Sequence, residues 1–197
     1  MFDNITEDIK KRMRYLEEMN ERQRKERTPG SERLRQIPPE TGKFLAMLAS
    51  NCPQGNFIEI GTSAGYSTMW ISLACRERDI KVKTYEILPQ KVKLAKETFK
   101  LAGIENYVEL YEGDVLEYLE DVKDISFCFL DAAKDVYEQC YDIIIPNMKR
   151  HGILVADNAI SHQDILKPML EKAINDDRVD SLIVPIGNGE LVCRKYS

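Results

Sequence analysis

Apolar residues at the start of the chain recur at three- and four-residue steps: Ile5, Ile9, Met13, Leu16 and Met19. That is the period of an amphipathic helix, and it predicts one from Asn4 to Arg27, stopped by Thr28-Pro29-Gly30. The stripe needs a partner face, which a second copy of the chain would supply, so a homodimer is expected. A second helical stretch opens near Pro39 and Glu40 and carries Phe44, Leu45, Leu48 and Ala49 toward the turn Cys52-Pro53-Gln54-Gly55.

From there the pattern becomes strand and helix in alternation. Short apolar or β-branched runs fall at Phe57 to Ile60, Val82 to Tyr85, Val108 to Tyr111, Ile125 to Leu130 and Ile153 to Ala156. Helical stretches separate or follow them at Tyr66 to Arg76, Gln90 to Ala102, Leu116 to Glu120, Val136 to Met148 and Gln163 to Asn175. Such alternation predicts an α/β fold, a parallel sheet with helices on both faces. Ser181 to Pro185 and Glu190 to Arg194 read as two further strands. Their link, Ile186-Gly187-Asn188-Gly189, is too short for a parallel crossover, so the last strand must run antiparallel to its neighbour.

Composition narrows the class. The 197 residues are 43% hydrophobic and 31% charged, with 28 Lys+Arg against 33 Asp+Glu and a net charge of -5. At roughly 100 to 200 residues per domain this is one domain, read as a charged helical extension over 1–35 and a core over 36–197. No apolar run reaches the roughly 20 residues of a membrane span. The start MFDNITEDIKKRMR lacks the apolar stretch of a signal peptide, so a cytoplasmic protein without a membrane partner is expected. Cys52, Cys75, Cys128, Cys140 and Cys193 are scattered, with no C-x-x-C pair, and read as reduced and buried. The first 36 residues hold ten basic and eight acidic side chains, leaving 18 against 25 for the rest. That balance argues against a large nucleic-acid footprint.

An open α/β sheet binds ligands beyond the C-terminal ends of its strands, so those ends carry the functional reading. The first ends in Glu59-Ile60-Gly61-Thr62-Ser63-Ala64-Gly65-Tyr66-Ser67. Gly61 suits a tight turn, and Gly65 would let a ligand lie against a helix N-terminus. The pattern G-x-x-x-G lacks the third glycine of a dinucleotide fingerprint, which disfavours an NAD-dependent oxidoreductase. The second strand ends at Glu86, about where a carboxylate accepts from ribose hydroxyls, which makes adenosine the expected ligand. The third ends in Gly113-Asp114-Val115, where Asp114 can receive an adenine amino group or cap the following helix.

At these residues the sequence resembles the S-adenosylmethionine-dependent methyltransferases. Within them it is similar to the small cation-dependent O-methyltransferases that act on catechols and caffeoyl-CoA. The likeness runs from about Gln36 to Lys195 and rests on IEIGTSAGYST, the Glu86 strand end, EGDVLEYL, FLDAAKDVY, GILVADN and VPIGNGELVCRK. It implies a Rossmann-like, seven-stranded class I methyltransferase fold with a reversed last strand. It also implies a donor held by Glu59, Gly61, Ser63, Gly65, Tyr66, Ser67, Glu86, Gly113, Asp114, Val115 and Asp131.

Asp131 closes the fourth strand, and Asp157 with Asn158 closes the fifth. Neighbouring strands lie about 4.8 Å apart, so if these two adjoin, three side-chain oxygens converge. An all-oxygen set suits a hard cation such as Mg²⁺; the rival use of the acids is to cap helices or to pair with Lys134. In the family the matching Asp, Asp and Asn hold the divalent metal. Lys134 matches the family's catalytic lysine and, beside a cation, would have a lowered pKa suited to taking a hydroxyl proton. Ala133 stands where the family often has a second acid, which bears on the substrate side. His162 is expected at the surface, and Met69 and Trp70 in the core.

The expected activity is therefore methyl transfer to the hydroxyl of a small catechol-like acceptor. The alternative acceptor is a hydroxylated nucleoside in tRNA, with Arg22, Arg24, Lys25, Arg27, Arg33 and Arg35 holding phosphates. A protein that binds the donor without turnover is a third possibility.

Overall fold

Strand and helix alternate in the computed structural model, which describes residues 1–30 and 32–196. The first half comprises α1 (Glu7–Lys25), α2 (Pro39–Asn51), β1 (Asn56–Ile60), α3 (Tyr66–Arg78), β2 (Val82–Glu86), α4 (Pro89–Ala102) and β3 (Val108–Glu112). The second comprises α5 (Leu116–Leu119), β4 (Ile125–Leu130), α6 (Tyr137–Asn147), β5 (Met148–Ala156), α7 (Gln163–Ile174), β6 (Val179–Val184) and β7 (Glu190–Lys195). The strands form one sheet in the order β3-β2-β1-β4-β5-β7-β6. β7 is antiparallel to both β5 and β6, as the short glycine link requires.

The chain runs outward from β1 to β3 and returns to β4 on the other side of β1. The strand order therefore reverses between β1 and β4, and the crevice at their C-terminal ends is where this fold takes a ligand. β5 begins at Met148, five residues before its apolar run. The exposed Lys149, Arg150 and His151 hid that half of the strand from a pattern search.

Alternation along the strands sorts the core into two layers. Phe57, Phe127 and Phe129 pack with α1 to α4 on one face, while Ile58, Cys128 and Leu130 pack with α5 to α7 on the other. All five cysteines are free and buried. No helix among the described residues is long and apolar enough to cross a membrane.

The N-terminal helix differs from expectation. α1 starts at Glu7, where Thr6 caps it by accepting from the Ile9 amide at 3.3 Å. Its stripe is covered by its own chain: Ile9, Met13 and Leu16 are buried with residues of α2, α3 and α4 in one cluster. Arg12, 5% exposed, donates to Thr98 Oγ1 at 3.0 Å and to Glu97 Oε1 at 3.2 Å on α4. The stripe itself thus offers no face to a second copy. Leu16→Ala should lower unfolding free energy by about 2–5 kcal/mol, because it would leave a cavity inside the first layer. A denaturant melt with a loss near zero would show α1 to be a mere appendage.

Candidate active site

The turn after β1 is built by close approach of backbones. Gly61 has φ +99, and a Cβ there would stand 2.1 Å from the Asp131 carbonyl oxygen. Only glycine permits the ends of β1 and β4 to meet this way. The Gly61 amide donates to Tyr85 O (3.0 Å) and the Asp131 amide to Ile60 O (2.8 Å), which ties three strand ends together.

Glu86 grips the same turn. Its Oε2 accepts from the Ser63 amide at 2.7 Å and its Oε1 from the Leu88 amide at 2.9 Å, leaving further lone pairs on both oxygens. The Ser63 hydroxyl donates to Leu34 O at 2.7 Å, so the α1–α2 connection lies across this turn. Glu59 is fully buried below it. Thr68 Oγ1 and Thr84 Oγ1 donate to its Oε2 at 2.5 and 2.6 Å, and its Oε1 has no partner. Burial pushes Glu59 up to about 7, with the hydroxyls of Ser67, Thr68 and Thr84 pulling the other way.

Gly113 (φ +135) donates to Glu86 O, and Asp114 Oδ1 accepts from the Leu116 amide at 3.0 Å. Asp114 thus holds the first amide of the short helix α5 and is exposed. Three more of the expected residues have packing partners. Gly65 is required by Phe99, whose Cε1 would stand 2.5 Å from a Cβ, so packing of α4 explains this glycine without a ligand. Tyr66, 2% exposed, donates from its hydroxyl to Glu17 on α1 at 2.5 Å, so its side chain serves helix packing. The Val115 side chain lies in the second core layer.

The acids lie where β4 and β5 end side by side. Leu130 pairs with Ala156, so Asp131 and Asp157 are neighbours at the strand ends. Burial and then the Asp131 charge push Asp157 above the usual carboxylate range. Asn158 takes φ +70, and its Nδ2 donates to Ser161 Oγ at 3.1 Å, which frees Oδ1 as an oxygen donor. Lys134 Nζ, with the side chain 17% exposed, donates to Asp131 Oδ1 (3.1 Å), Ala132 O (3.0 Å) and Tyr137 Oη (2.7 Å). His162 is exposed beside Ser161, and Met69 and Trp70 are buried, as expected.

Two residues of this end were missed. Tyr137, fully buried, accepts from Lys134 and lies 3.2 Å from Leu130 O and 3.3 Å from Asp157 O, linking the lysine to both acid-bearing strand ends. Glu190 opens β7 opposite Asp157, fully buried, with neither carboxylate oxygen hydrogen-bonded. The signal for it was an acid opening the apolar strand Glu190-Leu191-Val192-Cys193.

A glycine turn gripped by a carboxylate at a sheet switch point, with a reversed hairpin at the far edge, defines a methyltransferase-type α/β domain. Known structures share the fold: an SAH-bound methyltransferase of Podospora anserina superposes with TM-score 0.80 at 19% identity, covering 98% of this chain and 89% of that one. An O-methyltransferase of Bacillus cereus in complex with SAH gives 0.76 at 19%, covering 94% and 91%. The chain belongs to the O-methyltransferase family, whose sequence profile matches residues 6–196. It is 28% identical over 181 residues to the caffeoyl-CoA O-methyltransferase of Medicago sativa, covering 79% of this chain and 73% of that protein. To the catechol O-methyltransferase of Niastella koreensis it is 30% identical over 135 residues, covering 66% and 61%. The activity of that family is O-methylation.

The Glu59 carboxyl gives a pH signature. Between its ordinary 4.5 and about 7, the folded chain keeps a proton that the unfolded chain has released. Its stabilising contribution is therefore complete below pH 4.5 and is lost as pH rises through 7. Glu59→Gln should match the wild type in urea melts at pH 4.5 and exceed it by roughly 2–3 kcal/mol at pH 8. A gap that stays constant with pH would mean that Glu59 ionises normally.

Proposed function

We propose that the acceptor is a small catechol-like molecule and that methylation depends on a divalent cation held by Asp131, Asp157 and Asn158. The observation that carries the cation reading is the pairing of Asp131 and Asp157 at adjoining strand ends, with Asp157 desolvated and Lys134 paired to Asp131. The donor set is all oxygen, which fits Mg²⁺ or a similar hard cation. The names of the relatives, catechol and caffeoyl-CoA O-methyltransferases, support the acceptor class.

When bound, the cation supplies positive charge that favours the deprotonated form of an acceptor hydroxyl. The chain's own residues do the rest. Glu86 and the Gly61 turn fix the donor, so that its methyl group can be met in line by an acceptor oxygen. A carbon–oxygen bond forms as the carbon–sulfur bond breaks, its electron pair staying on sulfur. Lys134, acting as its free amine, would take the hydroxyl proton at Nζ, and Asp131, Ala132 and Tyr137 hold that nitrogen in place. Reduced, buried cysteines suit a cytoplasmic setting.

A hydroxylated tRNA nucleoside is the second reading. Arg22, Arg24, Lys25 and Arg27 are exposed at the end of α1, where the chain turns toward the loop that crosses Ser63. Binding of tRNA that weakens steeply with salt would favour it.

Asp157→Ala should abolish Mg²⁺-dependent turnover while SAH affinity, read by calorimetry, stays within a few-fold. Full activity of that variant in EDTA would overturn the cation role. Lys134→Met should slow single-turnover methyl transfer by about 10²- to 10⁴-fold. Catechols should react far faster than matching monophenols, which offer one oxygen instead of two, and equal rates for the two would exclude chelation.

A further inference from the structure

The least explained group in the molecule is Glu190. It is 0% exposed and neither carboxylate oxygen meets a hydrogen-bond donor, a costly state for an acid in the interior. Its position is fixed by the fold. Leu191 pairs with Ala156 across β5 and β7, so the next pair outward sets Glu190 against Asp157. The turn before it is tied to the loop after Asn158: the Ala159 amide donates to Gly189 O at 2.8 Å and the Ser161 amide to Asn188 O at 2.9 Å. Gly189 has φ +91 and lies against Ile160, so the turn has no room to carry Glu190 elsewhere. The Thr41 hydroxyl of α2, also buried and without a hydrogen bond, is the polar neighbour on its other side.

Three carboxylates, Asp131, Asp157 and Glu190, thus gather at one end of the sheet. Lys134, the cation paired there, is committed to Asp131. The proposed ligands are Asp131, Asp157 and Asn158, and Glu190 faces Asp157 from the next strand, β7. We propose that Glu190 is a positioning residue of the cation site: a third carboxylate that β7 sets against Asp157, outside direct ligation, to strengthen the hold on a divalent cation. This rests on the cation reading above. A carboxyl group set against a ligand from behind constrains the ligand's orientation, and loss of such outer groups typically weakens metal binding by about 10- to 100-fold.

The test uses the full chain and Mn²⁺ at pH 7.5, with free Mn²⁺ followed by electron paramagnetic resonance. Glu190→Gln should weaken Mn²⁺ binding by about 10- to 100-fold. Its SAH affinity should stay within twofold of wild type, which shows that the fold and donor site are intact, and Glu190→Asp should recover part of the Mn²⁺ affinity. Wild-type Mn²⁺ affinity in Glu190→Gln, with binding lost in Asp157→Ala, would overturn the role of Glu190 and leave the cation site standing. Absence of Mn²⁺ binding in the wild type would overturn both.

Discussion

The missing side chain at Gly61 sets the geometry of the whole active end. Because nothing projects from its Cα, the Asp131 carbonyl can close on it, and β1, β2 and β4 end in one cross-linked knot. The knot places Glu86 against the Ser63 amide on one side and Asp131 against Asp157 on the other. Glu86 and the paired acids are therefore fixed relative to one another by backbone contacts, with no long loop intervening. A methyl transfer that needs sulfur, carbon and oxygen in line gains from that stiffness.

Much of this was legible in the chain. Alternating apolar runs gave the order of elements because the central strands β1 and β4 are buried on both faces, and the four-residue glycine link allowed only a reversed final strand. The strand-end acids Glu86, Asp131 and Asp157 were legible because a carboxylate closing an apolar run has few structural excuses. The resemblance added the ligand chemistry. Other features were hidden for physical reasons. Gly65 reads the same whether a ligand or Phe99 lies against it, since sequence shows the missing Cβ and not what fills its place. Tyr66 begins a helix beside the site, but its ring follows the helix surface toward Glu17. The stripe of α1 required a covering face, and periodicity has no means of saying that α3 and α4, far along the chain, supply it. Glu190 comes together with Asp157 only through antiparallel pairing across 33 residues, which local patterns do not encode.

Charge is distributed unevenly through the site. Glu59 has hydroxyls on one oxygen and nothing on the other, Asp131 has a lysine, Asp157 has the Asn158 amide, and Glu190 has no hydrogen-bond donor. Burial raises Glu59, Asp157 and Glu190 alike. The fold thus spends stability to keep acids in its interior, a cost that active sites commonly carry for the sake of their chemistry.

The buried cysteines have a consequence for chemical labelling. Burial pushes the thiols of Cys52, Cys75, Cys140 and Cys193 up to about 12, so at neutral pH almost no thiolate is available to an alkylating reagent. Cys52 and Cys75 belong to the layer that includes α1 to α4, and Cys128, Cys140 and Cys193 to the layer beneath α5 to α7. Each face of the sheet therefore carries its own silent tags, and the order in which they become alkylated records which layer opens first as the protein unfolds.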